Sequence, residues 1–169
     1  MGREIENCII VGAGMGLSAS LASLFRKENM NVVLAARNIK KLDNLKRELG
    51  CHLIQCDASD PTQVEQLFAA TDKLIGQPKM VVYNPSARVR GEITSLDPLE
   101  TKQALDITCY GAFLVAQQAA IRMIKEGSGS IFFYRRICRR ERLSKFISLR
   151  NGKIRLAWFG SIASKRTTP

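Results

Sequence analysis

Short apolar runs alternate with longer amphipathic segments through the first 133 residues. Buried parallel strands are apolar along their whole length because helices cover both faces of their sheet. The short runs therefore predict strands at residues 7–11, 31–35, 52–55, 80–83 and 130–133. Segments with helical spacing of apolar positions predict helices at residues 17–27, 39–49, 61–74 and 99–125. This alternation predicts an α/β fold with a doubly wound parallel sheet of about five strands.

Local signals sharpen the helix boundaries. Asp60 and Pro61 suit the N-cap and first turn of the third helix, and Gly50 suits the C-cap of the second. Gly111 predicts a break in the long segment 99–125. The spacing of apolar residues predicts that Leu17, Leu21, Leu24 and Phe25 share one face of the first helix, and that Val64, Leu67, Phe68 and Leu74 line the buried face of the third.

The pattern fails after Phe133. Residues 134–142 contain five arginines, and we find no helical or strand period from there to Pro169. Of the formal net charge of +11, residues 134–169 carry +10, with 11 Lys/Arg and one acid. We therefore predict two regions: a domain at residues 1–133 and a basic, irregular tail at residues 134–169. The edge of the fifth strand would then be exposed.

Composition excludes several classes. The chain is 46% hydrophobic, which suffices for a folded core. The first six residues are charged, unlike a signal peptide, and no apolar run approaches the roughly 20 residues of a membrane span. The five cysteines have no paired CxxC spacing and His52 is the single histidine, so we predict free thiols and no metal site. These features predict a soluble, cytoplasmic protein.

The strongest chemical signal follows the first predicted strand, where the sequence is Gly12-Ala-Gly-Met-Gly-Leu-Ser18. Glycines let a backbone turn tightly and approach a pyrophosphate, whose charge meets N–H groups at the start of the following helix. The alternative is a simple tight turn, which the surrounding strand-helix-strand pattern disfavours. The predicted dinucleotide-binding residues of this loop are Gly12, Gly14, Met15, Gly16 and Ser18.

The loop resembles the glycine motif T-G-x-x-x-G-x-G of the short-chain dehydrogenase/reductase family. Gly12 and Gly16 match, Val11 stands at the threonine position, and Ser18 replaces the last glycine. Three further segments match in the family's order: residues 35–38 after strand two, Asp57-Ala58 after strand three, and residues 84–87 after strand four. The resemblance covers residues 7–133 and implies a Rossmann-like fold truncated after about five strands. It also implies cofactor contacts by Asp57, Ala58, Asn84 and Pro85.

Arg37 bears on the choice of cofactor. An acidic residue at the end of strand two would bind the ribose 2′-OH of NAD, whereas a guanidinium suits the 2′-phosphate of NADP. No acid occurs at residues 35–38, so we predict NADP over NAD. An exposed surface arginine is the alternative for Arg37, and a plain turn residue is the alternative for Asp57.

The catalytic residues that the family implies do not carry over. The family uses a serine after strand five and a Y-x-x-x-K motif, in which tyrosine exchanges a proton with the substrate oxygen. Tyr134 is the last tyrosine of the chain, and Cys138 stands where the lysine is expected. The helix asparagine of the family aligns with Thr108. We therefore assign no catalytic residue and predict that this chain lacks turnover.

A shifted reading frame accounts for the loss of pattern. Read one base later, synonymous codons for residues 151–169 permit M-G-K-F-A-L-R-G-L, which resembles the helix that begins at the family's catalytic lysine. The same shift after residue 134 permits T-G-A-S, which resembles the segment of the catalytic serine. Our hypothesis is a frameshift near residue 134, in the gene or in its sequencing. A genuine basic arm is the alternative.

Three functions remain open at this stage. The first is an NADP-dependent oxidoreductase lineage that moves hydride between the nicotinamide and a small carbonyl or alcohol substrate, as the resemblance implies. The second is a non-catalytic dinucleotide-binding module. The third is a basic arm for nucleic acid or an acidic membrane, in which aromatic residues of the tail would stack on bases. We disfavour nucleic acid and membrane partners, and the family's use of long helices leaves a homo-oligomer open.

Overall fold

The computed structural model describes residues 6–134, 144–150 and 153–159. Within these ranges the strands are β1 (Asn7–Val11), β2 (Asn31–Ala36), β3 (His52–Gln55), β4 (Met80–Tyr83), β5 (Ser128–Tyr134), β6 (Ser144–Arg150) and β7 (Lys153–Phe159). The α-helices are α1 (Leu17–Lys27), α2 (Asp43–Leu49), α3 (Pro61–Leu74), α4 (Pro98–Leu105) and α5 (Gly111–Lys125). A 3₁₀ turn at Lys40–Leu42 precedes α2, and a π-helical turn at Asp106–Tyr110 joins α4 to α5.

The strands form one sheet in the order β3-β2-β1-β4-β5-β6-β7. The first five strands are parallel, as predicted, and the predicted strand positions agree with theirs to within two residues at each end. The chain first moves outward from β1 to β3 and then crosses back to β4 on the other side of β1. Neighbouring strands β1 and β4 therefore form a topological switch point, where open α/β sheets bind ligands beyond the carboxyl ends of their strands.

Helices cover both faces of the parallel strands. Successive residues of each strand point to opposite faces, so each strand contributes apolar side chains to two separate clusters. On one face, Ile9, Val33 and Val81 pack with side chains of α3 and α5. On the other face, Ile10 and Leu34 pack with Ala22 of α1 and with residues of the α2 region. The predicted doubly wound arrangement is thus confirmed, and Phe68 of α3 is among the largest fully buried side chains. Burying a side chain of that size contributes about 1.5–3 kcal/mol.

The predicted caps are confirmed. The Asp60 carboxylate accepts hydrogen bonds from the backbone N–H groups of Thr62 and Gln63 at 2.8 and 3.2 Å, and Pro61 follows as the first residue of α3. Gly50 ends α2 in the left-handed conformation at φ 62°. The predicted second helix itself consists of the 3₁₀ turn followed by the shorter α2.

The predicted apolar face of α1 is only partly buried, and the predicted buried face of α3 is wrong in one residue. In α1, Leu17 and Leu24 are exposed, since the small residues Ser18 and Ala22 bring the helix close to the sheet and are the buried ones. In α3, Leu74 is 51% exposed. Thr71 continues the buried stripe instead, and its hydroxyl donates to the Leu67 carbonyl at 2.8 Å, which satisfies this polar group in the core.

The break predicted near Gly111 is a change of helix type, and helical structure continues from Pro98 to Lys125. This stretch contains an 18-residue window of mean hydropathy 1.2, so length and composition alone would let it cross a membrane. Our expectation that no stretch meets this criterion is wrong. A core helix can pass the same test, and in the structure 22% of this window is buried. The buried part includes the face of α5 that packs against the sheet and α3, with Leu114, Val115, Ala119 and Met123.

The expectation of an irregular tail is wrong for residues 144–150 and 153–159. β6 pairs antiparallel with β5, from Tyr134 opposite Ser144 to Ser128 opposite Arg150, and β7 pairs antiparallel with β6. The expected exposed edge of β5 is therefore covered. The sequence carried a signal that we missed: large apolar side chains occur at every second position, at Ile154, Leu156 and Trp158, and Asn-Gly connects the two strands, a dipeptide typical of two-residue hairpins. The remaining residues of the tail lie outside the described residues.

Candidate functional site

A cavity of about 410 Å³ lies at the switch point, beyond the carboxyl ends of the parallel strands. Its volume falls within the range of small-molecule sites, about 300–1,000 Å³. Its wall combines loops that follow β1, β2, β3 and β4 with one residue of the π turn. The lining residues are Val11, Gly12, Ala13, Ala36, Arg37, Asn38, Lys41, Cys56, Asp57, Ala58, Asn84, Pro85, Ser86 and Ile107.

Gly12 holds three of these loops together. Its backbone N–H and that of Ala13 both donate to the Ala35 carbonyl at 2.9 Å, which ties the loop after β1 to the end of β2. Gly12 has φ 76°, and a Cβ at this position would lie 2.5 Å from the backbone nitrogen of Pro85. A side chain would therefore require a strained backbone and a shift of the loop after β4.

Ser18, where the family motif has glycine, is buried in the first turn of α1. Its hydroxyl accepts a hydrogen bond from the Asn84 side-chain amide at 2.8 Å and donates to the Gly12 carbonyl at 3.4 Å. Ser18 does not line the cavity. Through these two hydrogen bonds, its hydroxyl links the glycine loop to Asn84 in the loop after β4.

Gly14, Met15 and Gly16 form the rim between the cavity and the start of α1, and none of them is part of the cavity lining. Met15 is 63% exposed. A Cβ at Gly14 or Gly16 would meet nothing within 4 Å, so packing among the described residues does not require glycine there. Gly16 stands at the N-cap of α1 and offers no side-chain capping bond. The loop thus leaves open space beside a helix N-terminus, where an anion is stabilised.

The loop after β2 carries positive charge. Arg37 and Lys41 both line the cavity, on either side of the turn into α2. The Asn38 side chain accepts a hydrogen bond from the Lys40 N–H at 3.2 Å and so helps to form the turn that brings Lys41 to the cavity. Sequence analysis missed Lys41, although its position four residues after Arg37 at the entry to a predicted helix was a usable signal.

Asp57 stabilises the turn after β3 and also lines the cavity. One carboxylate oxygen accepts hydrogen bonds from the Ser59 hydroxyl at 2.7 Å and from the Ser59 N–H at 3.0 Å. These bonds lower the pKa of Asp57, and Arg37 across the cavity contributes in the same direction. The neighbouring Cys56 is buried, which raises its pKa to about 11 and keeps the thiol neutral. The cavity lining therefore contains an ionised carboxylate, Asp57, together with the two cations Arg37 and Lys41.

The structure thus brings six of the ten predicted cofactor residues around one cavity: Gly12, Arg37, Asp57, Ala58, Asn84 and Pro85. Ile107 of the π turn also lines it, and no sequence motif pointed to that residue. Thr108, at the position of the family's helix asparagine, donates its hydroxyl to the Ala104 carbonyl at 2.6 Å.

The segment where the family has its catalytic residues is described only in part. Tyr134 ends β5. Cys138 lies outside the described residues. Among the residues that the structure describes, no group of three or more His, Cys, Asp or Glu side chains is placed to hold a metal ion.

Comparison with known proteins relates this geometry to a family. The family model described as "Enoyl-(Acyl carrier protein) reductase" matches residues 12–144, well over half of the chain. The chain belongs to the short-chain dehydrogenase/reductase family. A short-chain dehydrogenase from Rhodopseudomonas palustris has the same fold, with a TM-score of 0.70 and 25% identity over 76% of this chain and 62% of the other. An actinorhodin polyketide ketoreductase variant solved with NADPH has a TM-score of 0.72 and 24% identity, over 75% and 51% of the two chains.

Curated relatives are distant in sequence. An uncharacterized oxidoreductase of Staphylococcus aureus (strain USA300) is 26% identical over 73% of this chain and 54% of its own length. The mitochondrial borneol dehydrogenase of Lavandula x intermedia is 28% identical over 76% of this chain and 51% of its own. The chain therefore spans about half the length of the curated relatives it matches.

Proposed function

We propose that this chain is the dinucleotide-binding part of an NADP-dependent oxidoreductase. The observation that carries the proposal is the pair Arg37 and Lys41 on one wall of the cavity, in a loop that has no acidic residue at positions 35–38. Two cations suit the 2′-phosphate that distinguishes NADP from NAD. A carboxylate at this place would instead accept hydrogen bonds from a free 2′-OH.

The residues of the cavity fit such a ligand along its length. The open rim at Gly14 and Gly16 and the N-terminus of α1 would hold the pyrophosphate. Asp57 and Ala58 would flank the adenine, as the family resemblance implies, and the loop at Asn84-Pro85 would form the opposite wall. When bound, the nicotinamide of the cofactor supplies or accepts hydride, and the protein contributes binding and orientation.

Titration of the 169-residue chain with NADPH and NADH tests this assignment. We expect NADPH to bind at least about tenfold more tightly than NADH, because charge-assisted bonds to the 2′-phosphate contribute about 1.5–3 kcal/mol. Arg37→Ala should remove most of this preference by weakening NADPH alone. Arg47→Ala removes the same charge from an exposed site on α2, where Arg47 bonds Asn44, and should leave both affinities unchanged. Equal affinity of the wild type for the two cofactors would overturn the NADP assignment.

Turnover by this chain is a separate proposal. Its residues after Phe133 offer neither the serine nor the Y-x-x-x-K motif of the family, and positioned proton transfer is commonly worth about 10²–10⁴-fold in rate. We infer that the chain binds cofactor without measurable turnover and that an intact gene product reduces a small carbonyl or oxidises an alcohol. NADPH-dependent carbonyl reduction above a buffer control would contradict this inference. Reading the DNA across codons 125–175 from an independent clone would test the frameshift.

The surroundings of the site suggest further properties of the intact protein. Phe113, Ile121 and Ile124 are about half exposed on the outer face of α5, and such an apolar face favours a homo-oligomer.

Cys8, Cys51, Cys56 and Cys109 are free thiols. Free thiols are typical of a reducing compartment, so we propose a cytoplasmic location.

A further inference from the structure

The helical stretch from α4 to α5 changes its hydrogen-bond period beside the cavity. In an α-helix the Gly111 N–H would donate to the Ile107 carbonyl, four residues earlier. Here it donates to the Asp106 carbonyl, five residues earlier, which defines the π turn at Asp106–Tyr110. Such single π turns are rare and occur frequently at functional sites.

A side chain from the sheet takes the place of the missing α-helical donor. The hydroxyl of Tyr83, the last residue of β4, donates a hydrogen bond to the Ile107 carbonyl. Tyr83 is 3% exposed, and its ring lies 6.3 Å from that of Phe133. Burial raises the pKa of Tyr83, so the phenol stays protonated and can donate this bond.

Gly111 allows the helix to come close enough for this contact. A Cβ at Gly111 would lie 2.5 Å from the Tyr83 hydroxyl oxygen and 2.6 Å from the Ala58 carbonyl oxygen. Ala58 and Ile107 both line the cavity. The contact between Tyr83 and the helix therefore lies directly behind the cavity wall.

We propose that Tyr83 is a positioning residue for the cofactor cavity, whose hydroxyl holds the helix in the π turn and thereby sets Ile107 against the bound dinucleotide. The inference rests on the proposed function for the identity of the ligand. Without the hydroxyl, the Gly111 N–H is free to return to the Ile107 carbonyl. A change of one residue in helical register rotates the preceding side chains by about 100°. Ile107 would then leave the cavity wall.

A double-mutant cycle on the full chain tests this coupling. We expect Tyr83→Phe to raise the Kd for NADPH about 3- to 10-fold, the effect of one lost hydrogen bond. Ile107→Ala should have an effect of similar size. If Tyr83 acts through Ile107, the double variant should bind NADPH within about twofold of Ile107→Ala, because coupled residues are not additive. A merely structural role of Tyr83 would give additive losses, which would overturn the proposal.

A matched control and a second measurement separate this test from the proposed function. Tyr110→Phe removes a phenolic hydroxyl from the same π turn at a residue that is 44% exposed, and should leave NADPH binding unchanged. Without ligand, Tyr83→Phe should speed amide hydrogen exchange in a peptide covering residues 106–112, whereas Tyr110→Phe should not. If the wild type fails to bind NADPH, the proposed function fails, and exchange still decides whether Tyr83 holds the π turn. Unchanged exchange in Tyr83→Phe would overturn the inference.

Discussion

The two parts of the sheet are built by different means. The five parallel strands are connected by helices that cover both faces, and their pairing joins residues far apart in sequence. The two antiparallel strands pair with their immediate neighbours along the chain. Only the parallel part has a switch point, and the cavity lies there. The comparison teaches that the cavity depends on the long-range architecture of the parallel strands, whereas the hairpin is built from local pairings and extends the sheet beyond β5.

Among the tests of this comparison between the parallel strands and the hairpin, we expect the largest effect, on both folding stability and NADPH binding, from a substitution at Gly12. Gly12→Ala should destabilise the fold by more than about 2 kcal/mol, because a left-handed backbone disfavours alanine and the new methyl group meets the backbone nitrogen of Pro85. Detectable NADPH binding should be lost as well. Denaturant unfolding and calorimetry measure the two effects.

Gly14→Ala is the matched control in the same loop. Nothing lies within 4 Å of a Cβ at Gly14, so stability should stay within about 0.5 kcal/mol of the wild type. NADPH binding should nevertheless weaken, since the methyl group would occupy the space in which we propose that the pyrophosphate binds. Equal destabilisation by the two substitutions would show that the loop is shaped for the fold alone.

A smaller effect on binding separates the hairpin from the cavity. Ile147 lies in the middle of β6, opposite Ile131 of β5 and Leu156 of β7. Ile147→Pro removes an N–H from this ladder. It should speed hydrogen exchange in peptides covering residues 144–159 while NADPH affinity stays within about twofold. A large loss of affinity would mean that the two parts of the sheet are not independent.

The smallest effect concerns the cavity wall at Asp57. Its pKa is lowered in the folded protein, mainly by Ser59, so its contribution to stability is present above the ordinary pKa near 3.8 and lost as the pH falls through the lowered value. Ser59→Ala should therefore reduce Tm slightly at pH 7, and the difference from the wild type should disappear in acid. Ser95→Ala removes a bond to a backbone carbonyl, which does not titrate, and its effect should not vary in this way.

The fold was predictable from sequence as far as it depended on local pattern. Continuous apolar runs gave the parallel strands, and the chemistry of Asp60 and Gly50 gave two helix ends. The exposed Leu74 was not predictable, because helical spacing alone does not show that Thr71 and the following Ile75, rather than Leu74, contact the core at the end of α3. The hairpin was missed for a different reason: a high density of arginines is typical of a solvated arm, but net charge does not exclude strands, and the tail also contains a strand period and an Asn-Gly turn.

The candidate site was predictable where a motif names its residues. Gly12, Arg37, Asp57 and Asn84 follow strands in the family's order, and parallel strands bring their carboxyl ends to one edge. The position of Ile107 in the cavity wall depends on the π turn. The spacing of apolar residues predicts a helix but does not show whether its hydrogen bonds span four residues or five, so Ile107 could not be predicted. The role of Tyr83 depends on a contact 24 residues away along the chain. Such contacts are set by packing rather than by local sequence.

The most direct test of the central claim is a hydrogen-exchange footprint of NADPH on the 169-residue chain. The account predicts slower exchange in peptides covering residues 12–18, 36–41, 57–59 and 84–86, and unchanged exchange in residues 144–159. No protection in the first four segments, or protection confined to residues 144–159, would contradict it.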